Sequence, residues 1–348
     1  MTKTTRRILF YALVAVFILA TPPTILYAMG YSFDWGKYAL VQTGGIYLKS
    51  TPGNAQITIN GKNSGTTPGL LSHFLPGAYQ VSVSKDGFYS WQKNLEVLPT
   101  LVTEARNIFL FPKQIEQELV AKNVTSTIEY YLSSAEERRK ESQAQNMASS
   151  TAGWLLKNDN LFYVSENNFI LYRTDLSGSI KEQISKEALP AQKAYQIISH
   201  DGKTFLVLSP KGNLYWLNPE TDIFEILGNR IKNVQISSDN KKILYATDNE
   251  IWALYLQDIL IQPYKKAGDK ELITRYAQPI SQAIFYPDGE HIAFVVGEQI
   301  KIIELDDRDS RNIVDFFQTP NPQIYFDQKN NYLYYFTQNQ LFRINLGY

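Results

Sequence analysis

The sequence predicts a mainly β protein behind an N-terminal helix of membrane length. Three observations carry that prediction. A charge-free apolar run extends from Ile8 to Gly30. From Gly44 to Pro112, apolar side chains alternate with polar ones between tight-turn residues. From Gly153 to Tyr348, a two-strand pattern recurs about every 40 residues. The aromatic load, 23 Tyr and 18 Phe in 348 residues, points the same way, because rings pack well on a pleated surface.

The N-terminal run is preceded by Lys3, Arg6 and Arg7. As a helix, residues 8–30 would reach roughly 34 Å at 1.5 Å per residue, enough to cross a bilayer. That is longer than the ~7–15-residue core of a secretion signal, so a retained signal anchor is the preferred reading. A cleavable signal ending at Ala28-Met29-Gly30 is the competing one, and Pro22-Pro23 are positioned to kink or split the helix. Only Asp34 and Lys37 follow closely. The basic flank therefore predicts a cytoplasmic tip at residues 1–7, a single-pass contact with the lipid bilayer through 8–30, and an extracytoplasmic bulk.

In the first folded stretch, 44–112, period-2 sets occur at Ile46/Leu48, Ala55/Ile57/Ile59, Tyr79/Val81/Val83 and Leu95/Val97. Each set would face one side of a strand. Asn60-Gly61 suits a type I′ hairpin, in which both residues adopt positive φ. Pro52, Gly65, Pro68, Gly77 and Gly87 mark the remaining turns. Together they predict a small antiparallel β-sandwich.

These residues resemble a PEGA domain. The turn Pro52-Gly53-Asn54-Ala55 keeps the first and last letters of the family's motif and departs at the middle two. Ile57-x-Ile59-Asn60-Gly61, Gly65-Thr66-Thr67-Pro68, Leu75-Pro76-Gly77-x-Tyr79 and Lys85-x-Gly87-Phe88 follow in order. The resemblance implies an extracytoplasmic, often surface-layer-associated protein and does not imply an activity. Tyr89 and Trp91 are binding candidates, since exposed aromatics can stack on sugar rings. A Trp beside Leu95 and Val97 in a small β-domain is more often core.

Between 113 and 152, Ile128, Leu132 and Ala135 fall at helical spacing ahead of a mixed-charge run from Glu136 to Glu141. The expectation is a short amphipathic helix in a flexible linker. From 153 to 348, five segments share a turn, an apolar strand, a polar turn and a second strand. Their turns include Asn158-Asp159, Asp201-Gly202, Asp239-Asn240, Asp288-Gly289 and Asp327-Gln328. A repeat near 40 residues with three or four strands predicts a β-propeller of about five blades. Fourth strands are expected at Ile223–Leu227, Glu271–Thr274 and Asn312–Phe317. The fifth repeat lacks room for one, so a strand from before Gly153 is expected to complete it. A degenerate further blade from the linker is the alternative. The turns Ser199-His200-Asp201-Gly202-Lys203 and Tyr286-Pro287-Asp288-Gly289-Glu290 resemble those of TolB-type, WD-like propellers.

Catalytic and metal signals are sparse. Cysteine is absent, which excludes disulfides, thiol nucleophiles and Cys-ligated metals. His73, His200 and His291 are isolated, the latter two beside repeat turns where a polar surface residue is expected. Leu176–Ser179 lacks the strand-to-helix setting of a serine nucleophile. Asp306-Asp307-Arg308-Asp309 reads as a solvated loop, with cation binding as the alternative. Asn123-Val124-Thr125 is a formal glycosylation sequon. Lys plus Arg and Asp plus Glu are 34 each, which argues against nucleic acid as a partner. The sequence-level expectation is therefore a non-enzymatic, cofactor-free binding or scaffold protein of the cell envelope. The propeller face would engage an envelope protein or a cell-wall or surface glycan. A propeller-housed hydrolase or lyase, with carboxylates converging from separate blades, is the alternative.

Overall fold

The computed structural model describes residues 3–124, 127–327 and 330–346. Thr125 of the sequon and Gln328-Lys329 of the fifth repeat turn lie outside the described residues. The chain divides into two compact units. The first holds residues 1–113 together with the short segments Ile261–Pro263 and Asp307–Asn312. The second holds the remainder.

The first unit opens with α1 (Lys3–Ala28), a helix long and apolar enough to cross a membrane and with no buried residue. It continues through Pro22 and Pro23 rather than splitting. The flanking Thr21 and Thr24 hydroxyls donate to the carbonyls of Phe17 (2.6 Å) and Ala20 (2.8 Å), four residues back. A hairpin follows, β1 (Tyr31–Asp34) and β2 (Ala39–Gln42).

The sandwich comprises β3 (Gly44–Thr51), β4 (Gln56–Ile59), β5 (Lys62–Thr66), β6 (Gly69–Phe74), β7 (Gly77–Ser84), β8 (Trp91–Val97) and β9 (Val102–Phe109). One sheet has the order β6-β3-β9 and the other β5-β4-β7-β8. The pairings are antiparallel except β3 beside β9, which run parallel after the chain has crossed through the other sheet. Period 2 places Ile46, Leu48, Ile57, Ile59, Val81, Val83, Leu95 and Val97 in one shared core. Asn60 and Gly61 adopt φ of 48° and 78°, which fits the predicted hairpin turn between β4 and β5. Gly65, Gly77 and Gly87 also have positive φ.

The second unit begins with β10 (Gln117–Lys122), then α2 (Ile128–Leu132) and α3 (Ala135–Met147). Ser134 caps α3 reciprocally: its Oγ accepts from Glu137 N (3.1 Å), and Glu137 Oε2 accepts from Ser134 N (2.7 Å). The helix buries Ala144 beside Leu161. Five four-stranded antiparallel sheets account for the rest of this unit among the described residues. The first is β11 (Thr151–Lys157), β12 (Asn160–Ser165), β13 (Leu171–Asp175) and β14 (Glu182–Gln183). The second is β15 (Gln196–Ile198), β16 (Leu206–Leu208), β17 (Leu214–Asn218) and β18 (Ile223–Gly228). The third is β19 (Asn233–Ile236), β20 (Lys242–Ala246), β21 (Glu250–Tyr255) and β22 (Lys270–Arg275). The fourth is β23 (Ile280–Phe285), β24 (His291–Val296), β25 (Gln299–Glu304) and β26 (Ile313–Gln318). The fifth joins β27 (Gln323–Asp327), β28 (Tyr332–Thr337) and β29 (Gln340–Asn345) to β10, in the order β10-β29-β28-β27. A strand from before Gly153 thus pairs with the last hairpin.

The first strand of each sheet contacts the first strand of the next, from β11 through β15, β19 and β23 to β27. That radial order, with apolar clusters between successive sheets, is β-propeller architecture. An inner edge strand leaves unpaired backbone groups. Here amide side chains occupy several of them. Asn233 Oδ1 and Gln235 Oε1 accept from Ala283 N (3.2 Å) and Phe285 N (2.7 Å). Gln282 accepts from Ile324 N (2.8 Å) and donates to Ile324 O (2.7 Å). Between the first two sheets the backbones meet directly, Tyr195 N donating to Ala152 O at 2.7 Å.

Candidate functional site

The turn aspartates that revealed the repeat serve the fold. Asp201 Oδ1 accepts from Lys203 N and Thr204 N, both at 2.8 Å. Asp239 Oδ1 accepts from Ser237 Oγ (2.6 Å) and Lys241 N (3.1 Å). Asp288 Oδ1 accepts from Glu290 N (2.9 Å) and His291 N (3.0 Å). Each carboxylate replaces a missing backbone acceptor in a tight turn.

His291 is a correction to the sequence reading. It was expected at the surface and is buried, its Nδ1 2.7 Å from Asp288 Oδ2. Glu304 is its buried register partner across β24 and β25. Lys242, also buried, donates from Nζ to Gly289 O (2.9 Å) and Glu290 Oε1 (2.8 Å), joining the third sheet to the fourth. Burial disfavours the charged imidazole, but Asp288 and then Glu304 and Glu290 outweigh it and raise the His291 pKa. Burial also raises the Glu290 carboxyl, and Lys242 offsets this only in part. The cluster is a charge-paired joint between sheets. No group of His, Asp and Glu among the described residues is arranged to hold a metal ion.

The stretch 306–309 is the expected loop between strands, with Asp307, Asp309 and Ser310 exposed. Its segment Asp307–Asn312 belongs to the first unit, which the sequence did not indicate. Lys93 follows the inward parity of β8, and its Nζ ends on the carbonyls of Arg308 (2.8 Å) and Ser310 (2.6 Å). Asp309 Oδ2 accepts from Asn94 N (2.9 Å) and Asn94 Nδ2 (3.0 Å), so its carboxylate is engaged by protein donors.

Open clefts occur in each unit among the described residues. The first unit carries one of about 710 Å³, bounded by Asn54, Gln56, Asp86, Phe88, Tyr89 and Lys113. Tyr89 N donates to Phe111 O (2.8 Å), and Lys85 Nζ donates to Gly53 O (2.8 Å), fixing the rim. The two aromatic candidates separate here. Tyr89 is half-buried in the cleft wall, whereas Trp91 is 3% exposed in the sandwich core and presents no ring face to a ligand.

The second unit carries a cleft of about 670 Å³ lined by Gln278, Pro279, Ser281, Gln282, Gly297, Asn321, Pro322 and Gln323. It forms at one end of the fourth and fifth sheets. Ile280, at the start of β23, pairs with Val296 at the end of β24, so the loops around Gln278 and Gly297 share that end. Gln282 is committed to the β27 backbone, which leaves Gln278, Ser281, Asn321 and Gln323 to face a ligand. These are neutral donors and acceptors, and the lining contains no ionisable side chain. Sequence reasoning missed this cleft because its residues come from separate loops and from the starts of β23 and β27, and carry no motif.

Residues 43–106 match the PEGA domain. The expected resemblance therefore holds for the sandwich of the first unit. Solved structures similar to the chain include the β-propeller domain of Cps50 (Swd1) from Myceliophteria thermophila, at 12% identity and TM-score 0.40, over 55% of this chain and 67% of that one. A TolB candidate from Agrobacterium tumefaciens is 16% identical at TM-score 0.35, over 51% and 65%. An auxiliary nutrient binding protein from Bacteroides thetaiotaomicron is 10% identical at TM-score 0.32, over 84% and 78%. No curated protein matches the sequence. The propeller assignment rests on the sheet order and not on these likenesses.

Proposed function

We propose that the chain is a membrane-anchored, extracytoplasmic binding or scaffold protein of the cell envelope, with the propeller face as its interaction platform. The observation that carries the binding reading is the cleft at the loop end of the fourth and fifth sheets. Its amides, hydroxyl and prolines suit the hydroxyls of a glycan or the backbone of an envelope protein. They supply no group for general acid–base work at neutral pH. The hydrolase or lyase alternative requires convergent carboxylates at such a mouth, and this lining offers none.

The location rests on α1 and its charges. Lys3, Arg6 and Arg7 favour a cytoplasmic N-terminus, and the PEGA domain follows the apolar helix after one short hairpin. The test uses the full chain in nanodiscs, applied to a glycan array and to envelope extract, beside a panel of glycoside, lactone and ester substrates. Saturable glycan or protein capture that Gln278→Ala and Gln323→Ala weaken together supports the reading. Turnover of a panel substrate without any capture would refute it.

A further inference from the structure

The hairpin β1–β2 carries an apolar surface that the sandwich core does not use. Its tip presents Trp35 and Tyr38 at 76% and 79% exposure, with Phe33 and Leu40 also exposed. Phe33 and Trp35 pack edge to face at 4.7 Å between centroids, forming one aromatic knob. Four large apolar side chains exposed within eight residues would be costly in water.

The hairpin is also held at a defined place. Gly30 O accepts from Thr43 N (2.8 Å) and Thr43 Oγ1 (2.7 Å), closing its base immediately after α1. The end of α1 is fixed in turn, since Tyr27 stacks on His73 with centroids 4.2 Å apart. Asp34 Oδ1 accepts from Gly36 N (2.9 Å) and Lys37 N (3.3 Å), so the one carboxylate of the tip is occupied by the turn.

The length of α1 sets the level of this hairpin. From Ile8 to Ala28 the helix rises about 31 Å at 1.5 Å per residue, close to the ~30 Å hydrocarbon core. Residues 29–42 then emerge in the headgroup layer, where amphipathic Trp and Tyr rings are enriched. Trp35 and Tyr38 bound the turn itself, and Lys37 between them can reach lipid phosphate.

We propose that the β1–β2 hairpin is a second membrane contact, which lies in the headgroup layer of a phospholipid bilayer and holds Trp35 and Tyr38 there. The proposal rests on the reading of α1 as a membrane anchor. Because the chain contains no cysteine, a single introduced cysteine gives a unique labelling site.

The test reconstitutes full-length Lys37→Cys in vesicles of phosphatidylcholine and phosphatidylglycerol and labels it with a fluorophore. Leu13→Cys in α1 and Lys62→Cys at the start of β5 serve as references. Lipids carry a quenching nitroxide either on the headgroup or near the acyl terminus. Emission at position 37 should fall about two-fold or more with the headgroup quencher and little with the deep one, the pattern of an interfacial site. Adding Trp35→Ala and Tyr38→Ala to Lys37→Cys should abolish that quenching. A label at 37 as unquenched as the label at 62, with Leu13 still quenched by the deep lipid, would overturn the hairpin proposal and leave the anchor standing. An unquenched Leu13 would overturn the anchor and the hairpin proposal with it.

Discussion

Lys242 offers the sharpest test of how the second unit is held together. Its side chain is 2% exposed, and its Nζ joins Gly289 O and Glu290 Oε1 across two sheets. Burial raises the Glu290 carboxyl, and Lys242 offsets this only in part beside the repulsion from Asp288. The pair is therefore worth little relative to an apolar replacement, yet removal of one partner strands the other. Breaking a fully buried pair costs about 3–5 kcal/mol. Glu290 is 29% exposed on its side chain and can recover water, so the expected cost of Lys242→Ala is lower, about 2–3 kcal/mol. For a unit of this size that corresponds to a midpoint roughly 4–12 °C lower.

Lys242→Met keeps the apolar stem and should cost about half as much as Lys242→Ala. In Glu290→Gln the further effect of Lys242→Met should shrink, giving a coupling of about 1–2 kcal/mol in the double-mutant cycle. Urea unfolding of the full chain measures the energies, and hydrogen exchange locates them. Protection should fall in β20 and β24 and stay unchanged in β4 and β7. If Lys242→Ala matched the wild-type midpoint, or the cycle gave no coupling, the joint would not be a stabilising element and the reasoning would fail.

Four further outcomes are expected. His291 has a raised folded pKa, so its contribution is fully present below the unfolded value near 6.5 and is lost as pH rises through the folded value. Urea midpoints should fall across that window, and His291→Gln should flatten the profile, a change that a pH series reads directly. Gly153→Ala should destabilise by about 1–3 kcal/mol or more, because its Cβ would lie 2.2 Å from Tyr195 O, a backbone atom that can yield little; an unchanged thermal midpoint would refute this. Deleting residues 113–124 removes the β10 ladder and should cost at least about 3 kcal/mol, at ~1 kcal/mol for each lost hydrogen bond; thermal unfolding checks it. Trp91→Ala should cost about 3–5 kcal/mol as a core truncation. Tyr89→Ala, at the cleft wall, should cost less than half of that in the same urea assay.

Much of the fold was legible because it is local. Alternation at Ile57/Ile59 and Val81/Val83 declares both strand and inward face, and Asn60-Gly61 declares the turn between β4 and β5. The repeat was visible through Asp201, Asp239 and Asp288, since a carboxylate that closes a turn must stand a fixed two or three residues before the N–H groups it accepts. The parallel pairing of β3 with β9 was not legible. Parallel and antiparallel neighbours present the same alternation, and only the path of the intervening chain distinguishes them.

The site was harder to read because its chemistry depends on neighbours distant in sequence. His291 stands after Asp-Gly-Glu, a context that reads as surface, and its burial follows only when β25 brings Glu304 opposite it. Lys93 continues the inward parity of Trp91 and Leu95, a signal that could have marked it as buried, but its acceptors lie more than 200 residues away. The inner-strand amides Asn233, Gln235 and Gln282 look like ordinary polar alternation. Their role arises because an open inner edge needs partners for its N–H and C=O groups. The same side-chain type therefore does two things at one end of the second unit. Gln282 is consumed in joining β23 to β27, while Gln278 and Gln323 line the adjoining cleft. Gln282→Ala should loosen the joint and the cleft together, whereas Gln278→Ala should change only what the cleft can hold. That difference, read as stability against binding, separates an architectural amide from a recognition amide where sequence alone shows two glutamines.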